Sequence, residues 1–501
     1  MNRPLSNPTR RALLRQGAAL ALARPTLSGL GGLGLSLAAM APAAAANTSG
    51  YKALVCIFLT GGNDAYNTLL ATDAGSWAAY NAAREGGAEG VGLAAPGTPP
   101  QANGSLHAKL GGVLPISPLN AQGRTLAVHP CLGAVRDLFA SQRVALVSNV
   151  GPLMGPTTKE AYLAGTAPRP PKLFSHNDQQ SVWQSFSAEG TAPGWGGRMA
   201  DLVLSGNSRA MFTAISVSGN TPWLSGLGAQ PYQLSPAGAI RIGGTDGKAF
   251  NSAVVQQKMQ QLMRSTRNNS VIEREHAAVV NRSIDAELVL AGALPGANAG
   301  PWSSGLQYLD PETGLQMDNP LAQQLQAVAR MIAARSTLGM GRQVFFVGLG
   351  GFDTHDTQQQ RHTRLMAQLA HGMAWFDRVT TQMSVDSAVT TFTASDFGRT
   401  FAANGDGCDH GWGGHHMVMG GAVKGGDIYG KLPVYGLSDG RGGFNSADQL
   451  AGGMLLPTTS VEAYAATLGK WFGLSDSELL TVLPGLSAWN NSQRNLGFMT
   501  A

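Results

Sequence analysis

Three aspartates follow, within four residues, segments that have the character of buried strands. They are Asp64, Asp353 and Asp396, and the apolar segments before them are 53–60, 343–349 and 388–394. The first segment, 53–60, is a continuous apolar run of the kind typical of a strand buried on both faces of a parallel sheet. Because ligands of such sheets bind at the carboxyl ends of the strands, we predict that the three carboxylates converge at one edge. The alternative for each aspartate alone is a helix cap or a turn.

Histidines concentrate close to two of these aspartates. Of the ten histidines, six lie between residues 355 and 416, and His355 follows Asp353 by two residues. The glycine-rich loop 404–416 adds Asp409, His410, His415 and His416. Glycines permit a tight backbone that folds several side chains around one point. Mixed Asp and His ligation suits Zn²⁺ or Mn²⁺, with Mg²⁺ as a further candidate at a carboxylate-rich position. The alternative is a solvated loop with incidental histidines.

A hydroxyl group suited to nucleophilic attack lies at the expected start of a helix. Ser175 and the following His176 precede Asp178, and the pattern predicts a helix that begins near Ser175 and runs through Phe186. The positive end of a helix dipole favours anions such as phosphate or sulfate. We therefore predict Ser175 as a nucleophile and His176 as a base or ligand. The alternative for Ser175 is a plain helix cap.

Arg399 is a candidate for binding the charged oxygens of a substrate. It lies three residues after Asp396, and therefore near the predicted sheet edge. A guanidinium group binds phosphate or sulfate oxygens through two parallel hydrogen bonds. The alternative is that Arg399 forms a structural ion pair.

The elements that must position these groups alternate along the chain. The predicted strands are 53–60, 143–148, 343–349 and 388–394, and further predicted helices are 253–290, 319–337, 357–378 and 459–472. This alternation predicts an α/β fold with a doubly wound, mostly parallel central sheet flanked by helices. We expect a single domain over 47–501. A Gly/Pro-rich excursion near 84–123 and an inserted segment near 205–320 interrupt it.

Composition and charge exclude several classes of protein. With 43% hydrophobic and 13% charged residues, the chain is able to bury a large core, which excludes a disordered protein. The formal charge is +5, but the five arginines of residues 1–46 account for all of it. Residues 47–501 are therefore neutral overall, which argues against a nucleic-acid partner.

Residues 1–46 have the features of an export signal. A twin-arginine pair, Arg10 and Arg11, precedes a weakly apolar stretch that Arg24 interrupts, and small residues follow at Ala43–Ala46. We expect the twin-arginine translocase to export the folded protein to the periplasm or beyond. Cleavage near residue 46 then leaves no transmembrane anchor. The alternative is an uncleaved membrane anchor.

Eight segments together resemble a bacterial family known as domain of unknown function 1501. They are LTGGNDAYN (59–67), SNVGPLMGPTTKEAY (148–162), LFSHNDQQSVWQ (173–184), GWGGRMADL (194–202), VGLGGFDTHDTQ (347–358), TASDFGRT (393–400), NGDGCDHGWGGHHMVMGGAVKGG (404–426) and LLPTTSVEAYAATLGKWFGL (455–474). The resemblance covers essentially all of residues 47–501. It implies membership of the alkaline-phosphatase-like superfamily, whose phosphatases and sulfatases use two metals at the sheet edge and a Ser, Thr or modified Cys nucleophile.

The same resemblance implies roles for individual residues. The implied metal ligands are Asp64, Asp353, His355, Asp396, Asp409, His410 and either His415 or His416, with Ser175 in the place of the nucleophile. Two departures stand out. Asp396 is followed by Phe397, where the superfamily has a histidine, so either an imidazole comes from elsewhere or that metal is lost. No cysteine has the sequence context of the sulfatase formylglycine, which argues against sulfatase activity through that cofactor.

Two functional hypotheses follow from these residues. The first is an exported metal-dependent hydrolase that acts on a phosphate or sulfate ester, either a small molecule or a polymer. The second is a catalytically degenerate protein of the same fold, without a metal, that serves as a periplasmic or cell-surface binding or assembly module. Fold analogy does not choose between them, and metal content discriminates.

Overall fold

The computed structural model describes residues 49–84, 90–190, 192–240, 251–265 and 270–500. The predicted export signal over 1–46 lies outside the described residues. Within the described part of the chain, no helix combines the length and the apolar character that a membrane crossing requires.

Seventeen strands and thirteen α-helices make up this part of the chain. The strands are β1 Lys52–Thr60, β2 Leu69–Ala71, β3 Leu114–Ile116, β4 Leu126–Val128, β5 Val144–Gly151, β6 Ala214–Ser216, β7 Tyr232–Ser235, β8 Gly238–Ala239, β9 Gln307–Leu309, β10 Gln316–Asp318, β11 Arg342–Gly350, β12 Val389–Ser395, β13 Arg399–Ala403, β14 Cys408–His410, β15 Gly414–Met419, β16 Ile428–Tyr429 and β17 Thr459–Ser460. The helices are α1 Ala74–Ala83, α2 Leu106–Leu110, α3 Gly133–Ala140, α4 Lys159–Leu163, α5 His176–Ser185, α6 Trp195–Val203, α7 Ala253–Met263, α8 Val271–Ala293, α9 Pro320–Ala333, α10 Arg335–Leu338, α11 Gln358–Gln382, α12 Val461–Phe472 and α13 Asp476–Val482.

A ten-stranded sheet forms the centre of the fold. Its strand order is β16-β5-β15-β12-β1-β11-β6-β7-β8, with β17 paired to β5. The run from β12 through β1, β11 and β6 to β7 is parallel, whereas β15 is antiparallel to both of its neighbours. A mostly parallel central sheet flanked by helices confirms the predicted α/β fold class.

The first strand shows why the sheet is covered on both faces. Alternate residues of β1 belong to two different cores: Val55 and Ile57 pack with residues of α9 and α11, and Cys56 and Phe58 pack with residues of α5, α6 and α12. A strand buried on both faces requires an uninterrupted apolar sequence. Each fully buried side chain of this size contributes about 1.5–3 kcal/mol to folding.

Most predicted elements are present with small shifts in their ends. The four predicted strands are β1, β5, β11 and β12. The prediction of one helix over 253–290 was wrong, because α7 ends at Met263 and the Ser270 hydroxyl caps a new helix by accepting from Glu273 N. The prediction of one polar loop over 404–416 was also wrong, since that segment supplies β14 and the start of β15.

The two segments predicted as additions to the domain contain structure of their own. The excursion carries α2 and β3, and β3 joins β2 and β4 in a separate three-stranded sheet. The inserted segment contributes β6, β7 and β8 to one side of the central sheet, followed by α7, α8 and the β9–β10 hairpin.

The carboxyl ends of β11, β1 and β12 lie side by side, as predicted. Thr60 pairs with Gly350, and Leu59 pairs with Ser395. Gly61 follows β1 with a φ of +117°, and a Cβ atom there would lie 2.3 Å from the backbone nitrogen of Asp353. Only glycine permits both this conformation and this close approach. The ends of the three strands are therefore held together at one edge of the sheet.

A hairpin after β12 folds back over this edge. β13 and β14 pair in antiparallel fashion, with Arg399 opposite His410. A Cβ atom on Gly407 would lie 2.2 Å from the carbonyl carbon of His355, so the hairpin packs directly on the segment that follows β11. The backbone nitrogen of Cys408 donates to the carbonyl oxygen of Thr354 at 3.2 Å. This packing brings the end of β14 next to His355.

Candidate functional site

His176, Asp353 and His410 meet at the carboxyl edge of the sheet. One ligand atom from each residue lies within 4.8 Å of the others. The three residues come from the start of α5, the loop after β11 and the end of β14. Three separate parts of the fold therefore converge on one point.

His355 is a fourth member of this group. Its Nε2 atom lies 2.9 Å from Nε2 of His410 and 3.1 Å from Oδ1 of Asp353. Two ring nitrogens at this distance either share one proton or face a cation with both lone pairs. We call His176, Asp353, His355 and His410 the edge cluster.

Asp396 fixes the orientation of His176. Nδ1 of His176 lies 2.8 Å from Oδ2 of Asp396, whose side chain is fully buried. This hydrogen bond, together with the charge of Asp396, raises the pKa of His176. In the neutral imidazole the contact places the proton on Nδ1 and leaves the lone pair on Nε2. Among the described residues, the buried Nε2 of His176 has no hydrogen-bond partner, and it lies 3.4 Å from Oδ2 of Asp353.

The backbone fixes His410 in the same way. Nδ1 of His410 donates to the carbonyl oxygen of Phe174 at 2.7 Å, which leaves Nε2 for the edge cluster. Burial lowers the pKa of His410, so its imidazole is neutral at pH 7. Phe174 has a φ of +74°, a conformation that is rare and strained for a bulky residue. Backbone strain is therefore located where the chain contacts a member of the cluster.

Asp353 forms an ion pair with a buried arginine. Nη2 of Arg399 donates to Oδ1 of Asp353 at 2.7 Å and to the carbonyl oxygen of Phe352 at 3.0 Å. Burial opposes ionisation of Asp353, but the hydrogen bond and charge of Arg399 outweigh it and lower the pKa of that carboxyl. Nε and Nη1 of Arg399 are buried without a partner in the described part of the chain. Arg399 therefore contacts the cluster through Asp353.

Asp64 lies apart from the edge cluster, although it follows the central strand. Its carboxylate forms a fully buried ion pair with Arg84. The remaining contacts of Asp64 come from the backbone nitrogen of Tyr66 at 3.0 Å and from Nε2 of Gln358 at 2.6 Å. The structure therefore places this predicted ligand in a separate polar network.

His415 and His416 also lie away from the cluster, because they belong to β15. Nδ1 of His415 accepts a hydrogen bond from the backbone nitrogen of Asn149 at 3.1 Å. The ring of His416 packs against Trp183 and Tyr464. Burial lowers the pKa of His415 to about 4 and that of His416 to about 3. Both are neutral core histidines at pH 7.

Asp409 lies behind His355. Its Oδ1 atom is 3.6 Å from Nδ1 of His355 and accepts from Nδ2 of Asn404 at 2.7 Å. Its side chain is exposed to solvent. Asp409 is therefore placed to orient His355, on the side of the ring opposite to the cluster.

The Ser175 hydroxyl faces a carboxylate and not an imidazole. Ser175 occupies the N-cap position of α5, but its side chain makes no hydrogen bond to the helix backbone. Its Oγ atom donates instead to Oδ2 of Asp178 at 2.8 Å. The hydroxyl is therefore adjacent to the edge cluster along the chain, and its direct partner is Asp178.

Phe397 packs against two members of the cluster, His176 and His410, whose ring centroids lie 4.4 Å from each other. Its ring centroid lies 4.9 Å from that of His176 and 4.6 Å from that of His410. The imidazoles near Asp396 thus come from α5 and β14, whereas the residue after Asp396 packs against both rings. Sequence reasoning did not find this arrangement, because nothing in the sequence shows which distant histidine replaces a missing neighbour. Arg84 was missed for a similar reason, since no motif surrounds it.

Comparison with known proteins identifies one family. The profile of a family described as "Protein of unknown function (DUF1501)" matches residues 51–483. No curated protein matches the chain.

Solved structures resemble the chain only remotely. One, described under metabolism of multiple glycosaminoglycans by Bacteroides thetaiotaomicron, is 9% identical, covers 86% of this chain and 74% of its own, and has a TM-score of 0.32. Ps i-CgsB is 11% identical over 71% of each chain, with a TM-score of 0.32. Its complex with k-i-k-neocarrahexaose is 10% identical, over 88% of this chain and 77% of that one, with a TM-score of 0.31.

Proposed function

The chain belongs to the DUF1501 family of proteins of unknown function, and we propose that it is a metal-dependent hydrolase of phosphate or sulfate esters, exported in the folded state by the twin-arginine route. The observation that carries this proposal is the edge cluster. Its ring nitrogens and one carboxylate face a common point, and two of its three imidazoles are fixed through their Nδ1 atoms. Such outer partners are typical of histidines that bind a metal.

The donor atoms of the edge cluster fit a divalent transition metal. The ligands would be Nε2 of His176, His355 and His410 together with the carboxylate of Asp353. Two observations favour a cation there. Nε2 of His176 makes no hydrogen bond within the described residues and lies 3.4 Å from Oδ2 of Asp353, and two other Nε2 atoms approach each other to 2.9 Å. A nitrogen-rich set with one carboxylate suits Zn²⁺ or Mn²⁺ better than Mg²⁺, which prefers oxygen ligands. When bound, such an ion supplies Lewis-acid stabilisation of negative charge on an ester oxygen.

Two further residues contribute to this proposal through positioning and charge. Arg399 holds Asp353 ionised and oriented, and it adds a positive charge beside the place where an anionic ester would bind. Ser175 is the candidate nucleophile. It lies at the N-terminus of α5, where the helix dipole favours an anion. Its partner Asp178 is a weak base, because the hydrogen bond from Ser175 lowers the pKa of that carboxyl.

A catalytically degenerate binding module is the second candidate function. One observation favours it: the Ser175 hydroxyl is held by Asp178, and no imidazole in the described residues contacts it. In this case the edge cluster would retain a structural role, and the mature protein would bind a partner or polymer in the periplasm or at the cell surface.

Metal analysis and a substrate panel test the proposal together. The exported protein should contain Zn or Mn and hydrolyse at least one phosphate or sulfate ester. Replacement His176→Ala should lower turnover at least tenfold, because it removes a metal ligand. His276→Ala, which alters an exposed histidine of α8, is the matched control and should change nothing.

Two outcomes would overturn parts of the proposal. Turnover that survives both chelation and His176→Ala would contradict a metal-dependent hydrolase. Turnover that is unchanged in Ser175→Ala would remove Ser175 from the role of nucleophile, while the metal site would stand.

A further inference from the structure

Arg84 lies fully buried beside the carboxylate that follows β1, and all of its donors are used. The guanidinium group has five N–H donors. Nε donates to the carbonyl oxygen of Phe401 at 3.0 Å, and Nη2 donates to that of Thr400 at 2.7 Å. Nη1 donates to Oδ1 of Asn67 at 2.9 Å, and both Nη atoms bind the carboxylate of Asp64. Five acceptors therefore match five donors.

The carboxylate of Asp64 is equally saturated. Oδ1 accepts from the backbone nitrogen of Tyr66 and from Arg84, and Oδ2 accepts from Gln358 and from Arg84. An ionised carboxylate offers about four lone-pair sites, and all are occupied. Burial opposes ionisation of Asp64, but the charge and hydrogen bonds of Arg84 lower the pKa of that carboxyl, so the pair is ionic. No acceptor site on Asp64 remains for a metal ion.

The residues of the edge cluster and their neighbours differ in this respect. Within the described part of the chain, Nε2 of His176, Oδ1 of Asp396 and two nitrogens of Arg399 are buried without a hydrogen-bond partner. Unpaired buried polar atoms are uncommon in folded proteins, and an unplaced ion or water commonly explains them. Other unpaired buried atoms lie elsewhere in the described part of the chain, Nδ1 of His362 among them, but neither oxygen of Asp64 and no nitrogen of Arg84 is unpaired.

We propose that Arg84 is a fixed internal cation that takes the place of a second metal ion at this sheet edge, so that Asp64 binds no metal and the protein binds at most one divalent ion. The assignment of that one ion to the edge cluster rests on the proposed function. The superfamily that the sequence resembles uses two metals, and the residues around Asp64 do not fit the second. A divalent ion next to Asp64 would have to displace the buried guanidinium group of Arg84 from its five acceptor atoms. If Arg84 stayed in place, the ion would be buried beside a second positive charge.

The same arginine also positions part of the edge cluster without any ion. Its bonds to the carbonyl oxygens of Thr400 and Phe401 fix β13 against the segment that follows β1. β13 begins with Arg399 and pairs with the end of β14, where His410 lies. The ion pair of Arg84 therefore pre-organises the hairpin that supplies both Arg399 and His410.

Zn²⁺ titration of the exported, chelator-treated protein tests the assignment. The wild type and Asp64→Asn should bind the same number of equivalents, at most one, with affinities within threefold of each other. Asp353→Asn should lose the binding. Asp137→Asn is the matched control, because Asp137 pairs with Arg136 at an exposed site. If Asp64→Asn does not fold, the double variant Asp64→Asn/Arg84→Met removes both buried charges together and takes its place.

The outcomes separate the two proposals. Two equivalents in the wild type, of which Asp64→Asn removes one, would overturn the assignment of Arg84. No binding in any variant would overturn the proposed function but agree with the statement that Asp64 takes no ion. Hydrogen exchange gives a second readout. Protection of residues 400–403, which contribute no proposed ligand and include the carbonyl groups bound by Arg84, should be independent of chelation in the wild type and should fall in Arg84→Lys. Protection of these residues that falls on chelation of the wild type would contradict a fixed cation.

Discussion

Two arginine–aspartate pairs stand at the ends of neighbouring parallel strands, and they differ in almost every physical respect. In the pair after β1, Asp64 and Arg84 are both fully buried, and every donor and acceptor has a partner. In the pair after β11, the side chain of Asp353 is 45% exposed, and two nitrogens of Arg399 lack partners among the described residues. The first pair is closed to ligands, and the second opens onto a cluster of imidazoles.

The difference shows what separates a structural carboxylate from one that is available to a ligand. Each aspartate is preceded by two glycines and one further residue, so the local sequences are alike. The two pairs differ in how many of their donors and acceptors have a hydrogen-bond partner within the protein. A buried charged group that makes all of its hydrogen bonds stabilises one arrangement of the backbone. A charged group with unused donors or acceptors is available to bind a ligand.

The largest expected effect comes from breaking the closed pair. Arg84→Met leaves the carboxylate of Asp64 buried without its partner, and we expect unfolding to become easier by about 3–5 kcal/mol. Urea unfolding of the metal-free protein measures this. Arg136→Met, in an exposed pair, is the control and should cost less than about 1 kcal/mol. A loss for Arg84→Met as small as that of the control would contradict the comparison.

Removal of a ligand from the edge cluster should affect the affinity for metal more than the free energy of unfolding. His410→Ala deletes an Nε2 ligand, and we expect Zn²⁺ affinity to fall at least 100-fold, or about 2.7 kcal/mol. The free energy of unfolding without metal should change by less than about 2 kcal/mol, because the ring is partly exposed. Competition titration with a chelating dye measures the affinity, with His276→Ala as the control. Equal affinities in the two variants would exclude His410 as a ligand.

A smaller effect is expected for the carboxylate behind His176. Asp396→Asn weakens the hydrogen bond that fixes Nδ1, and loss of such an outer partner typically lowers metal affinity 10–100-fold. Because Asp396 is the main cause of the raised pKa of His176, that pKa should fall in the variant. NMR titration of the metal-free protein follows the imidazole directly. An unchanged pKa together with unchanged affinity would remove Asp396 from this role.

The smallest expected effect concerns the buried histidines outside both pairs. His416 has a pKa of about 3 in the folded protein and about 6.5 when unfolded, so the unfolded chain binds more protons between these values. Stability is therefore lost as pH falls below about 6.5, by about 1 kcal/mol at pH 5.5. His416→Gln should remove this part of the acid sensitivity in urea unfolding at pH 5.5 and 7.5. Identical pH dependence in variant and wild type would show that His416 is not held neutral.

The sequence predicts the strands and the edge well, because both depend on local patterns. Apolar runs such as 53–60 have no alternative to burial, and the positions of Asp353 and Asp396 follow from the ends of their strands. The hydrogen-bond partners of these aspartates do not follow from local patterns, because they come from other elements of the chain. Arg84 reaches Asp64 from the end of α1, and His176 reaches Asp396 from α5. The separation of His415 and His416 from His410 has the same origin, since the residues at 411–413 lead the chain back into the sheet at β15.

Anomalous diffraction from crystals of the exported protein grown with Zn²⁺ shows where an ion binds at the sheet edge. We expect a single strong peak, about 2.0–2.1 Å from Nε2 of His176 and of His410, with the Asp64–Arg84 pair intact. A peak against the carboxylate of Asp64, or the absence of any peak at the edge cluster, would contradict this expectation.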